Sequence, residues 1–344
     1  MTIATTGLRA LIAGVAGAAA IASAASADAV EDFYKGKTVT LTMGTSPGGS
    51  FQVYGQLFTD HMPQYIPGKP NIVLGFMPGA GGVKAANFLY AAAAQDGTQL
   101  LLSHAIALSE KLQPQGVKFK SEKFHWLGSF DAISQVMVLW GTAPVKTLEE
   151  ARKTEAIIGA FGKNHLTYQW ASMANTLLGA KFKIVTGYSS GAKNNLAMEQ
   201  GETHGWTASV ANLVSTKPHW LKEKKINMLV TYTLERMSEI PEVPTLMELV
   251  KPEDKDVAEF MIAGTPIARS IAVGPDVPAD RVAALREAFA KTVADPNFLA
   301  DAKKRKLSIQ PRQWQQTEAL VKKIASASPE LIQRVKLATG QSDK

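Results

Sequence analysis

Ser46-Pro47-Gly48-Gly49-Ser50 and Pro78-Gly79-Ala80-Gly81-Gly82 are two short glycine loops set in matching contexts. Each follows a β-type run, Thr38 to Met43 before the first and Asn71 to Phe76 before the second. Each opens a helical pattern, Phe51 to Tyr65 after the first and Val83 to Ala93 after the second. Glycine lets the backbone turn sharply and lets a ligand approach bare N–H groups. The helix N-terminus behind such a loop carries unpaired donors and a partial positive charge. Two such loops, side by side at the ends of parallel strands, make a cradle for a carboxylate or another small oxyanion.

The same alternation continues outward from the loops. Short apolar runs at Thr98 to Ser103, Val136 to Trp140, Ile157 to Gly159, Lys183 to Thr186, Met228 to Tyr232 and Ser270 to Val273 read as strands, with helical segments between most of them. This pattern predicts an α/β architecture with largely parallel sheets. Towards the C-terminus the chain turns helical, with Pro278, Pro296 and Pro329 each opening a helix. Crossings between domains are expected near Gly128 to Ser134 and after the charged break Lys251-Pro252-Glu253-Asp254-Lys255-Asp256. Domain 1 is then 28–130 plus 259–344, and domain 2 is 131–258. Crevices between α/β domains, at strand C-termini, are the usual ligand sites.

Residues 1–27 read as a secretory signal. Arg9 is their only charge, Ala10 to Ala22 is a short apolar stretch, and Ala25-Ser26-Ala27 fits the small-residue cleavage rule. The stretch is too short and too weakly apolar for a membrane anchor. The absence of an Arg-Arg pair favours the general secretory route. An exported, soluble, periplasmic protein starting at Asp28 is expected. The chain has no cysteine, which excludes a lipid-modified N-terminal Cys, thiolate metal sites and a Cys nucleophile. The formal charge of +7 falls to +6 without Arg9 and sits on solvated helix faces such as Lys303-Lys304-Arg305-Lys306. No nucleic-acid motif accompanies it.

Two stretches match the Gly-x-Ser-x-Gly nucleophile elbow. Gly44-Thr45-Ser46-Pro47-Gly48 fails because Pro47 has no N–H to lend to an oxyanion hole. Gly187-Tyr188-Ser189-Ser190-Gly191 keeps that N–H, so a Ser189 hydrolase is the competing enzymatic class. The acids between Ser189 and the later His204 and His219 are Glu199 and Glu202, poorly spaced to orient a distant histidine. No dinucleotide or Walker-type phosphate motif is complete, because Lys84 stands where Gly-x-Gly-x-x-Gly needs its last glycine. The six histidines show no metal-ligand spacing, and no cofactor is expected. His104, directly after the third strand, is the one placed near the presumed cleft.

These pieces together resemble the Bug/TctC family, the periplasmic solute-binding proteins of tripartite tricarboxylate transporters. The resemblance rests on Asp32-Phe33-Tyr34-Lys35-Gly36-Lys37, both glycine loops, Ala85-Ala86-Asn87, Thr186-Gly187-Tyr188, Leu196-Ala197-Met198-Glu199-Gln200-Gly201-Glu202, Ile240-Pro241-Glu242-Val243-Pro244-Thr245 and Val277-Pro278-Ala279-Asp280-Arg281. It implies a two-domain type II periplasmic-binding-protein-like fold that closes on a small carboxylate, a di- or tricarboxylate or an aromatic acid. A monomer without enzymatic activity is expected, with an integral-membrane permease as partner. A sensing module for a signalling receptor would carry the same features.

Carried over residue by residue, the resemblance assigns ligand anchoring to Ser46, Gly48, Gly49, Ser50 and Phe51 and to Gly79, Ala80, Gly81 and Gly82. Ser103 and His104 join them at the third strand end. From domain 2, the segment Gly162 to Thr167 faces the loops with Lys163, Asn164 and Thr167, as do Ser189, Ser190, Thr207 and Ser209. The chain departs from the family at Gln52, where Asp is common, near Lys193, where an acid is common, and at His204 in Gly201-Glu202-Thr203-His204-Gly205. Fewer acids, with Lys163 and Lys193 nearby, favour a dianion over a zwitterionic amino acid.

Overall fold

The computed structural model describes residues 28–341. The expected signal segment lies outside the described residues. Two sheets carry the chain. Strands β1 (Thr38–Met43), β2 (Asn71–Phe76), β3 (Gln99–Ser103), β4 (His125–Ser129), β10 (Ser270–Val273) and β11 (Arg312–Gln313) form the first, in the order β11-β4-β10-β3-β1-β2. Strands β5 (Gln135–Trp140), β6 (Ala156–Ala160), β7 (Phe182–Thr186), β8 (Gly205–Ser209) and β9 (Ile226–Thr231) form the second, in the order β7-β6-β8-β5-β9.

The parallel strands share one register, and that register places the loops. Met43 on β1 pairs with Phe76 on β2 and with Leu102 on β3, so all three strands end at the same level. The two glycine loops and His104 therefore leave the sheet along a single edge. In the second sheet Ala160 at the end of β6 pairs with Thr186 at the end of β7, and β6 runs parallel to β8. The loops 161–165 and 187–190 and the end of β8 thus share an edge too. Helices that follow the strands close the crossovers: Gly49–His61, Val83–Ala91, Leu166–Leu178 and Gly191–Glu199.

The expectation of largely parallel sheets is corrected. β10 is antiparallel to both β3 and β4, and β5 is antiparallel to both β8 and β9. The reason lies in the connections. β5 follows β4 through only residues 130–134, with no helix to carry the chain back, so it enters the second sheet pointing away from the first. β10 comes back to the first sheet after the helices Leu246–Leu249 and Lys255–Ile262, entering through residues 265–269. Residues 130–133 and 265–269 are tied together where the chain crosses: Phe130 N donates to Arg269 O at 3.2 Å, and Ile133 N donates to Thr265 O at 3.0 Å.

β4 and β8 were not anticipated as strands. His125-Trp126-Leu127-Gly128-Ser129 is buried almost throughout and lacks alternation, and Gly205-Trp206-Thr207-Ala208-Ser209 is short and glycine-led. The helix expected over Phe51 to Tyr65 is α-helical over Gly49–His61 and tightens to a 3₁₀ turn over Met62–Tyr65, where Pro63 cannot donate to the ladder. The C-terminal helices run over Ala279–Ala294, Pro296–Lys304, Trp314–Ala325 and Pro329–Ala338. Ala279–Ala294 and Trp314–Ala325 pack on β4 of the first sheet, and Pro329–Ala338 packs on Lys255–Ile262 and Leu166–Leu178; Phe289, Phe298, Val321 and Ile324 join the core.

Candidate functional site

The two loop-bearing edges face each other. The glycine loops lie against one another: a Cβ on Gly44 would sit 2.6 Å from Gly82 Cα. The second loop meets the opposite half, since a Cβ on Gly81, at φ +64°, would sit 2.6 Å from Asn164 O. The first loop does the same more loosely. A Cβ on Gly48 would meet Ala192 Cβ at 3.3 Å and Ser190 Oγ at 3.5 Å.

Two adjoining spaces result. An inner chamber of about 60 Å³ is lined by Gly48, Gly49, Ser50, Phe51 and His104 from one side and by Thr167, Ser190, Thr207 and Ser209 from the other. It holds a few water-sized groups, less than a whole diacid. An outer groove of about 450 Å³ is lined by Gly79, Ala80 and Gly81 and, opposite, by Lys163, Asn164 and Ser189. Thr45, Phe161 and His165 line both and form the threshold between them. Of the remaining expected residues, Ser46 is half-buried and borders neither space. Gly82 and Ser103 act behind the wall: a Cβ on Gly82 would lie 3.2 Å from His104 Nδ1, and the Ser103 hydroxyl donates to His104 O. Lys163 is exposed at the groove, while Lys193 is exposed and lines neither space.

The helix Gly49–His61 opens on the chamber. Its first turn has no acidic residue, and its N-cap, Gly48, supplies no side-chain cap. Gln52 folds back so that its Oε1 accepts from Gly48 N at 2.7 Å. A neutral amide thus occupies the place where an Asp would cancel the helix's positive end, and the dipole stays free for an anion. Across the chamber Ser190 caps Gly191–Glu199, its Oγ accepting from Lys193 N at 3.3 Å.

His165 caps the helix Leu166–Leu178, with Nδ1 accepting from Thr167 N at 3.1 Å. In the neutral ring that leaves the proton on Nε2, which is buried without a partner. His104 stacks on Phe51, rings 4.1 Å apart and 6° from parallel, and meets His165 edge-on at 5.1 Å. Burial pushes His104 down to about 4, with the nearby Arg269 charge adding to the effect. Burial likewise holds His165 well below the ordinary imidazole range, with His104 contributing. Both rings are neutral at pH 7, so the chamber offers imidazole N–H groups without two extra charges.

Thr45, Gln135, Phe161, Trp206 and Arg269 also line the chamber, beyond the residues expected to meet the ligand. Arg269 is 1% exposed. Its Nη1 lies 3.3 Å from Asp131 Oδ2 and 3.1 Å from Ala132 O, and its guanidinium covers the Tyr54 ring at 4.2 Å. Burial pushes Asp131 up to about 6 against the opposing pull of Arg269, a backbone bond at Ala132, Tyr54 and Arg312. The chamber also gathers buried side-chain atoms with no protein partner: Thr45 Oγ1, His104 Nδ1, Gln135 Oε1, His165 Nε2 and Arg269 Nε. Such atoms are costly unless a ligand or water meets them. Only one clue stood in the sequence, a lone Arg in Ile267-Ala268-Arg269-Ser270-Ile271-Ala272-Val273.

For the hydrolase alternative, neither His204 nor His219 is hydrogen-bonded to Ser189 among the described residues. Ser189 is exposed in the outer groove. His204 Nδ1 accepts from Ile157 N at 2.9 Å, serving the second sheet. His219 stands beside Trp220, rings 6.3 Å apart. Among the described residues no group of His, Asp or Glu is arranged to hold a metal ion.

The chain is an α/β protein whose two sheets bring their loop-bearing edges together around a donor-lined chamber. The chain is a member of the family described as tripartite tricarboxylate transporter family receptor, which it matches over residues 65–337. It is similar to the "UPF0065 protein in gbd 5'region" of Cupriavidus necator, 26% identical over 235 residues that make up 65% of this chain and 67% of that one. Its fold is that of the two-domain periplasmic binding proteins. BugD superposes with a TM-score of 0.70 at 16% identity, covering 89% of this chain and 98% of its own. MatC from Rhodopseudomonas palustris, solved with bound malate, gives 0.69 at 20% identity, covering 88% and 99%. An R. palustris protein solved with adipate gives 0.69 at 17%, covering 87% and 97%. No helix among the described residues is long and apolar enough to cross a membrane.

Proposed function

We propose that this protein captures a small organic carboxylate in the periplasm and presents it to the membrane permease of a tripartite tricarboxylate transporter. Strands 38–129 and 270–313 would form one domain with the C-terminal helices, strands 135–231 the other, and the ligand would sit where they close. The observation that carries this reading is the uncapped, acid-free N-terminus of Gly49–His61, opening on a chamber with unpartnered donors at His165 Nε2 and Arg269 Nε. Malate and adipate, bound by proteins of the same fold, agree with such a site. The chamber is too small for a whole diacid. One end of the ligand therefore lies inside, and the rest passes the Thr45–Phe161–His165 threshold into the outer groove near Lys163.

The test is a thermal-shift panel of C4–C8 dicarboxylates, citrate and aromatic acids, followed by calorimetry. A ligand that binds only the folded state adds about 2.7 kcal/mol at a hundredfold excess over Kd. At about 2–4 °C per kcal/mol, that gives a shift of several degrees. A flat panel, with hits confined to amines or sugars, overturns the carboxylate reading.

A further inference from the structure

Arg269 reaches the chamber because of a strand direction. β10 runs antiparallel, with Ser270 paired to Ser103, so the residue before β10 emerges beside His104 at the binding edge. β4 ends at the same edge, and Asp131 follows it. The pair therefore joins the two segments by which the chain crosses between the sheets.

The contact between them is loose for a buried ion pair. Nη1 divides itself between Asp131 Oδ2 at 3.3 Å and Ala132 O at 3.1 Å, so no parallel two-bond fork forms. Asp131 has a second neighbour in Tyr54, whose hydroxyl lies 3.3 Å from Oδ2 and donates to Ser308 O at 2.8 Å. The guanidinium keeps one edge unused: Arg269 lines the chamber, and its Nε is buried and meets no acceptor. That edge of a planar guanidinium is a standard docking face for a carboxylate.

We propose that Arg269 is the deep anion reader of this site, its Nε edge taking a carboxylate of the ligand while Nη1 stays on Asp131 and Ala132. The proposal rests on the carboxylate reading above and narrows it. The ligand's buried end is a carboxylate without an α-ammonium group. An ammonium there would face a guanidinium and a helix N-terminus, and the residues lining the chamber include no carboxylate to receive it, only neutral acceptors such as Gln135 Oε1 and the Thr45 hydroxyl. Asp131 sets how much of the Arg269 charge is left for the ligand. A carboxylate on Nε competes with Asp131 for one cation, and it does so in the crossing segments, where binding is felt by both halves.

Calorimetry and thermal shift on the full-length mature protein test this, using malate, succinate, adipate and aspartate. Arg269→Gln should weaken the diacids about tenfold to a hundredfold, the loss of one charge-assisted contact. Asp131→Asn leaves a buried charge uncompensated and should melt earlier without ligand. It should also bind the diacids several-fold more tightly than wild type, and the ligand-induced rise in Tm should be larger. A purely structural ion pair shares the loss of stability but predicts that Asp131→Asn binds the diacids no more tightly than wild type. If Arg269→Gln does not fold, the Asp131→Asn result stands alone, and unchanged or weaker binding there overturns the proposal. Folded Arg269→Gln with affinity within about twofold of wild type overturns it as well. Aspartate binding as tightly as succinate overturns the exclusion of an ammonium. Wild type that binds none of the four acids, nor any acid of the wider panel, defeats the carboxylate reading itself, a different failure.

Discussion

Single residues in this protein are constrained from both sides of the chamber. Gly81 is the sharpest case. Its φ of +64° disfavours most side chains, and a Cβ would lie 2.6 Å from the Asn164 carbonyl. Glycine is required there for the two halves to meet as well as for a ligand to approach. Gly81→Val should therefore abolish binding of every acid tested while the circular dichroism spectrum stays that of the wild type. Normal binding by this variant would sink the view that the second loop borders the site. Lys163 belongs to the same scale but carries less. It is exposed in the outer groove, so its pull on a ligand's distal group is screened. Lys163→Met should weaken diacids by roughly fivefold, about 1 kcal/mol. Monoacids should hardly change, and the difference should shrink with added salt. Equal weakening of monoacids and diacids in calorimetry would remove Lys163 as the distal contact.

At the level of elements, helix N-termini do the positioning. Ser190 caps Gly191–Glu199 and faces Gly48 across the chamber. Ser190→Ala should cost about 1 kcal/mol through the lost cap. That is a fall of about 2–4 °C in Tm, read by calorimetric melting of the ligand-free protein. A Tm unchanged within error would mean the Lys193 N–H finds another acceptor. The strands show why the first sheet's edge is legible and the second's less so. Thr38–Met43 and Asn71–Phe76 are each followed by a glycine loop and a helix, a local signature of parallel β–loop–α units. Their shared register then puts both loops and His104 on one edge. β4 and β8 lack such a signature, being nearly all buried and glycine-containing.

Stability of the whole molecule should depend on the two buried imidazoles. His104 is held at about 4 against an ordinary 6.5, and His165 is lowered in the same sense. A base whose folded value is depressed contributes stability that is complete above 6.5 and is lost as pH falls from 6.5 towards the folded value, because the unfolded chain takes up the proton first. For His104 the loss by pH 4 is about 3 kcal/mol. Asp131 runs the other way. Raised to about 6, it favours folding below its ordinary 3.8 and gives that up as pH rises through about 6. With two histidines against one aspartate, Tm should fall between pH 6.5 and 4, and His104→Leu should fall less steeply over that range. Parallel acid limbs for the two proteins in a pH series of melts would show that His104 is not the titrating group.

The sequence by itself determined the loop-and-helix units, the glycine loops at the first edge, and the helices opened by Pro278, Pro296 and Pro329. All of these depend on neighbours along the chain: glycine conformational freedom, proline at a helix start, the period of apolar residues. Only the tertiary structure decided which way β5 and β10 run. That direction is set by chain crossings between two sheets, and no local pattern distinguishes a strand from its reverse. Read as parallel, Ser270–Val273 would bring its C-terminal end to the binding edge and carry Arg269 away from it. Run antiparallel, it delivers Arg269 beside His104, and β5 likewise delivers Ile133 and Gln135. The glycine cradle was written in short segments, and the buried ion pair behind it came from distant ones.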